Sequence, residues 1–188
     1  MKKYTIGLIT GALLAVSAMM FIGAQNKNLG AITADSITLI SDGELGGTII
    51  FGGGIGFFNT DGTRTLAIAN SDNGGGMIRT FNADGVLLTY LGTGADGGGG
   101  ILSTYDENGK EMVYLGTGIE GGGYLKTYDE NGKEMAYLGT SIEGGGYLNT
   151  YNKLGVKTGY FGTNAEDDGM AILFDRYGDA GWAESGKQ

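Results

Sequence analysis

The sequence reads as an all-β protein, a tandem array of β-hairpins running as an antiparallel meander. Three observations carry this reading. A turn signature recurs every 23 or 24 residues: FNTDG at 58–62, FNADG at 81–85, YDENG at 105–109 and 128–132, YNKLG at 151–155 and FDRYG at 174–178. A second landmark, YLGT, begins at Tyr90, Tyr114 and Tyr137, with YFGT at Tyr160. Between the landmarks lie runs of strand composition, such as residues 124–129 and 133–140, and no copy places apolar residues at helical spacing.

The chain has 188 residues, enough for one domain with a core or for a short repeat array. Its 40 glycines come with no proline, cysteine or histidine. The glycines show no one-in-three period, which excludes collagen, and they cluster at fixed places in the repeat, which marks turns. Without cysteine and histidine there is no thiol nucleophile, no thiolate or imidazole metal site, and no side chain with an ordinary pKa near 7 for acid-base work. The formal net charge is -9; leaving out Lys2 and Lys3, 10 basic against 21 acidic residues give -11. So acidic a body repels phosphate backbones and anionic lipid, so nucleic acid is not an expected partner.

The first element, residues 1–24, begins with two lysines and continues as an uncharged, mostly apolar run to Ile22-Gly23-Ala24. That is the layout of an export signal with a small-residue cleavage site. The run over residues 4–24 is also long enough to span a bilayer as an uncleaved hydrophobic helix, so a membrane anchor is the other reading of the same segment. Either way the remainder is expected outside the cytoplasm: periplasmic, surface-bound or secreted. Residues 25–57 read as a linker and lead-in, with one strand in 32–40 and another in 48–54. Residues 58–188 read as the hairpin array, closed by a C-terminal cap around Trp182, the only tryptophan.

Comparison among copies types the turn. Glycine stands in all six copies, whereas the residue before it is Asp61, Asp84, Asn108, Asn131, Leu154 or Tyr177. A two-residue type I′ turn requires positive φ at both central positions, which Leu154 and Tyr177 resist. A type I turn followed by a left-handed glycine requires it only at the glycine. Strict alternation out from that turn sets Tyr128 opposite Glu134, Thr127 opposite Met135 and Leu125 opposite Tyr137. One face then carries Leu125, Thr127, Met135 and Tyr137 without charge, and is expected to be the better buried. A β-solenoid also suits a 23-residue period, but it stacks Lys110 on Lys133 and Glu111 on Glu134 in neighbouring strands, and such like-charge pairs favour hairpins.

The YDENGK turn followed by a YLGT strand end, behind a signal-like N-terminus, resembles exported bacterial proteins of unknown function that carry tandem hairpin repeats. The resemblance runs from about Phe58 to the C-terminus and implies no activity and no functional residue.

No catalytic, cofactor-binding or metal-ligating residue stands out. The glycine clusters at 74–76, 97–100, 121–123 and 144–146 lack the lysine and hydroxyl of a phosphate-binding loop and read as turns. Asp72, Asp96, Glu120, Glu143 and Glu166-Asp167-Asp168 offer oxygens suited to calcium, but in no calcium-loop spacing, and read as solvated loops. Tyr90, Tyr114, Tyr137 and Tyr160, with Phe81, Tyr105, Tyr128, Tyr151 and Phe174, form regular columns that suit either cross-strand packing or stacking on sugar rings. The expectation is a non-enzymatic, exported structural, surface or adhesion-type repeat protein without cofactor. The alternative is a carbohydrate-binding module that uses the tyrosine columns. Expected partners are further copies of the chain and a cell-surface or glycan ligand, with membrane contact only through residues 4–24.

Overall fold

A computed structural model describes residues 36–40, 46–72, 74–94, 99–118, 121–142 and 144–186. The expected N-terminal hydrophobic helix, the expected cleavage site and the linker expected after it lie outside the described residues.

The described chain forms one sheet of fourteen strands, each hydrogen-bonded to the next in sequence and antiparallel to it. The lead-in supplies β1 (Ser36–Ile40), β2 (Gly47–Phe51) and β3 (Gly54–Phe58), which continue the array, and β4 is Arg64–Asn70. The best-matched copies supply β5 (Gly76–Phe81), β6 (Leu87–Thr93), β7 (Gly100–Tyr105), β8 (Glu111–Thr117), β9 (Gly123–Tyr128) and β10 (Glu134–Thr140). The last copies give β11 (Gly146–Tyr151), β12 (Lys157–Thr163), β13 (Gly169–Phe174) and β14 (Ala180–Ser185). The sheet is an open meander with β1 and β14 as its edges, not a solenoid and not a closed barrel. Each strand touches only its neighbours, so among the described residues there is a single layer.

A six-residue strand, a five-residue turn, a seven-residue strand and a second five-residue turn make up the 23-residue period. All six signature turns have the expected form. In the fourth, the Gly132 N–H donates to the Asp129 carbonyl at 2.8 Å, the Asp129 N–H donates to the Lys133 carbonyl at 2.9 Å, and Gly132 has φ of 78°. At the opposite end the turns over residues 71–75, 118–122, 141–145 and 164–168 close in the same way. Asp167 occupies the left-handed position there, with φ of 65°, where the preceding copy has Gly144.

The expected register fails one residue into the strand. Tyr128 does face Glu134, but Thr127 then faces Ala136, Lys126 faces Tyr137 and Leu125 faces Leu138. Met135 is a bulge: two residues of β10 oppose one of β9, and everything after it changes face relative to strict alternation. The same bulge recurs in all six signature hairpins, at Thr65, Leu88, Met112, Met135, Thr158 and Gly181. It is the second residue of each return strand.

With the bulges in place, each face is uniform. One face carries an unbroken row, each member directly opposite the next: Ile37, Ile50, Ile55, Ile68, Ile78, Leu91, Leu102, Leu115, Leu125, Leu138, Leu148 and Phe161. Thr, Gly and a few apolar residues flank that row, and Glu184 on β14 is the one charged side chain of this aliphatic face among the described residues. The other face carries Tyr, Phe, Arg, Lys and Glu.

The burial expectation is reversed as well. The uncharged face is the open one: Leu115 is 48% and Leu138 50% exposed. The buried described residues, Gly56, Ala67, Ser103 and Gly116, all sit on the aromatic face. The cause is side-chain length, because Tyr, Lys and Arg lie down over small neighbours and cover the sheet with their stems, whereas Leu and Ile stand up from it. Trp182 does not cap the array. It lies on edge strand β14, opposite Leu173 and 50% exposed, and no described residue covers the outer side of that strand.

Candidate functional site

The aromatic face carries the tyrosine columns, the sequence's candidates for stacking on sugar rings. The strands deliver them by register: Tyr114 faces Lys126, Lys126 faces Tyr137, and Tyr137 faces Asn149, which faces Tyr160. Tyr124 and Tyr147 fall one position further along, each opposite a glycine of the YLGT or YFGT motif on both sides. Gly116 and Gly139 flank Tyr124, and Gly139 and Gly162 flank Tyr147.

Each motif tyrosine lies along its own strand over the glycine two residues on. A Cβ on Gly139 would sit 2.7 Å from Tyr137 Cε1 and 2.8 Å from Tyr124 Cβ, so only glycine fits. Where the ring reaches the strand end it donates to the motif threonine: Tyr90 Oη to the Thr93 carbonyl at 2.9 Å, and Tyr160 Oη to the Thr163 carbonyl at 2.8 Å. The YxGT motif is thus a tyrosine, its bed and its hydrogen-bond acceptor.

The result is a ladder of parallel rings, Tyr114, Tyr124, Tyr137, Tyr147 and Tyr160, with successive centroids 5.1 to 6.0 Å apart and interplanar angles of 9 to 18°. Pairs of this kind contribute about 0.5–1.5 kcal/mol each beyond their buried area. Tyr124 and Tyr147 were absent from the sequence-derived columns. The adjoining glycines of the motif were the signal that something bulky sits across the strand. Phe81, Tyr105, Tyr128, Tyr151 and Phe174 lie on the same face, nearer the signature turns.

Charge is threaded between the rings. Lys126 Nζ pairs with Glu134 at 3.0 Å and lies 5.6 and 5.5 Å from the centroids of Tyr124 and Tyr137. Burial works against the ammonium charge, but the Glu134 carboxylate outweighs it and holds the Lys126 pKa above the ordinary lysine value. In the preceding copy Ser103 Oγ donates to Glu111 at 2.7 Å. Burial, and then the neighbouring Tyr124 hydroxyl, pushes the Tyr114 phenol up to about 12. These carboxylates are therefore engaged with their neighbours in the sheet.

At the end of the ladder's strands Tyr124, Tyr137, Thr140, Ser141 and Ile142 line a hollow of about 470 Å³. A second, of about 320 Å³, holds Arg79 beside Tyr90 and Tyr105. Of the acidic loop residues, Asp72 and residues 166–168 lie in turns at this end of the sheet, whereas Asp96, Glu120 and Glu143 lie outside the described residues. Among the described residues, no three carboxylates converge. The glycines of the clusters that are described lie in hairpin turns and at strand starts.

No protein-family model matches the chain, and no curated protein matches it.

Proposed function

We propose that the protein is a non-enzymatic, exported structural element of the surface or adhesion type. The observation that carries the reading is the way each copy is locked to the next by parts of the repeat itself. Lys133 Nζ donates to the Lys153 carbonyl of the following signature turn at 2.7 Å, and Lys110 Nζ donates in the same way to the Glu130 carbonyl. The residue after each turn glycine packs on the next turn's glycine: Val86 on Gly109, Lys110 on Gly132, Lys133 on Gly155 and Val156 on Gly178. At the other end, a Cβ on Gly122 would meet the motif Thr140 hydroxyl, and one on Gly145 would lie 3.1 Å from Thr163 Cβ. The recurring residues are spent on holding copies together, as in a scaffold whose length is set by copy number.

Export rests on the signal-like segment 1–24, with residues 4–24 as the anchor if it stays uncleaved. N-terminal sequencing and fractionation of the protein from its host test this. A mature start near Gln25, or a membrane-bound intact chain, supports the reading, and intact cytoplasmic protein contradicts it.

The hollow beside Tyr124 and Tyr137 keeps a second reading, a carbohydrate-binding module. The ladder weighs against it, since Tyr124, Tyr137 and Tyr147 each have a parallel ring on either side. A glycan array separates the two: binding that is lost in Tyr124→Ala supports the module, and no binding leaves the scaffold.

A further inference from the structure

We infer that the aliphatic face is a self-association surface, on which a second copy of this chain packs face to face to make a two-layer β-sandwich. The inference rests on the scaffold reading and gives the scaffold its partner. A sheet hydrophobic on one face stabilises a fold by burying that face against another layer, and the described chain supplies no second layer.

Several features favour a second copy. With a net charge of -9, two chains repel unless they meet through a charge-free surface. From β1 to β13 the aliphatic face has no charged side chain, because Arg, Lys, Asp and Glu are confined to the aromatic face and the turns. A twofold contact requires a self-complementary patch, and a single row of Ile and Leu with Thr and Gly beside it meets that requirement. The threonine hydroxyls need not be stranded by burial: Thr80 and Thr89 already bond each other across the strands at 2.7 Å.

The area is sufficient. Thirteen strands spaced about 4.8 Å apart and about 20 Å long present roughly 1,200 Å², and eight of them present nearly 800 Å², about what each partner of a stable interface buries. Residues 25–35, even fully extended, would cover a strip no more than about 40 Å long and one strand wide.

The test uses the protein as recovered from its host. Sedimentation equilibrium from about 1 to 100 μM should give a dimer. Leu115→Glu, which puts a carboxylate from each copy at the centre of the interface, should weaken association roughly a hundredfold. Leu154→Glu, in an exposed turn where the leucine is 67% accessible, should leave it unchanged. Because the chain has no cysteine, Leu115→Cys and Leu154→Cys each carry one thiol. In the associated state the first should react with a maleimide at least about tenfold more slowly, with the difference vanishing on dilution. This route remains valid if Leu115→Glu fails to fold. A monomer at all concentrations, a protected thiol in a monomer, or an oligomer in which both thiols react equally fast would each overturn the inference. None of these outcomes bears on export or on glycan binding, which the fractionation and glycan experiments address.

Discussion

Each signature hairpin turns on the Asn or Asp that opens it. Asn59, Asn82, Asp106, Asp129, Asn152 and Asp175 each accept, on Oδ1, the N–H four residues on, and five of them also accept the N–H two residues on. The sequence spelled this out, with Asn or Asp at that place in every copy. Attention to the glycine passed over it, although the varied residues before the glycine, Leu154 and Tyr177, sufficed to type the turn. The carboxylate versions respond to pH. Hydrogen bonds from the Lys110 and Lys133 amides hold Asp106 and Asp129 below the ordinary 3.8, and the Tyr177 amide does the same for Asp175. A folded pKa below the unfolded one adds stability that is present above the unfolded value and is lost as pH falls through the folded one. Urea unfolding should therefore show a drop in midpoint between pH 7 and pH 3 that shrinks in the triple variant D106N/D129N/D175N, whose amides keep the acceptor and do not titrate. An undiminished drop would assign the acid sensitivity elsewhere.

At the scale of the strand pair, the bulge decides the architecture. Its gain is visible in β9 and β10: skipping Met135 puts Leu138 beside Leu125 and Gly139 beside Tyr124, and so separates aliphatic from aromatic side chains. The all-β class, the meander and the turn were legible because each depends on local chemistry repeated six times. The faces were not, because an alternation of period two carries no mark where one residue is skipped. The unused clue was the Ile or Leu in each strand from β1 to β11, which line up only if each signature hairpin loses one residue of register. The glycine substitutions give a paired prediction. Gly139→Ala, with its new methyl against two tyrosines, should cost about 1–3 kcal/mol, whereas Gly146→Ala, with nothing within 4 Å, should change stability by no more than about 0.5 kcal/mol. Chemical denaturation of both variants measures the difference, and equal effects would mean that the tyrosine does not rest on its glycine.

Taken as a whole, the described chain is an open sheet whose two faces have opposite characters, one interlocked by aromatic and charged side chains and one left aliphatic. Among the described residues the negative charge is carried, Glu184 apart, by turns and by the aromatic face, while the aliphatic row, invisible in the composition, appears only once the strands are in register. Register is therefore the central claim, and cross-strand nuclear Overhauser contacts measured by NMR test it most directly. The bulged sheet predicts Thr127 against Ala136, Lys126 against Tyr137 and Leu125 against Leu138. Contacts of Thr127 with Met135 and of Leu125 with Tyr137 would show unbroken alternation, dissolve the aliphatic row and contradict the account.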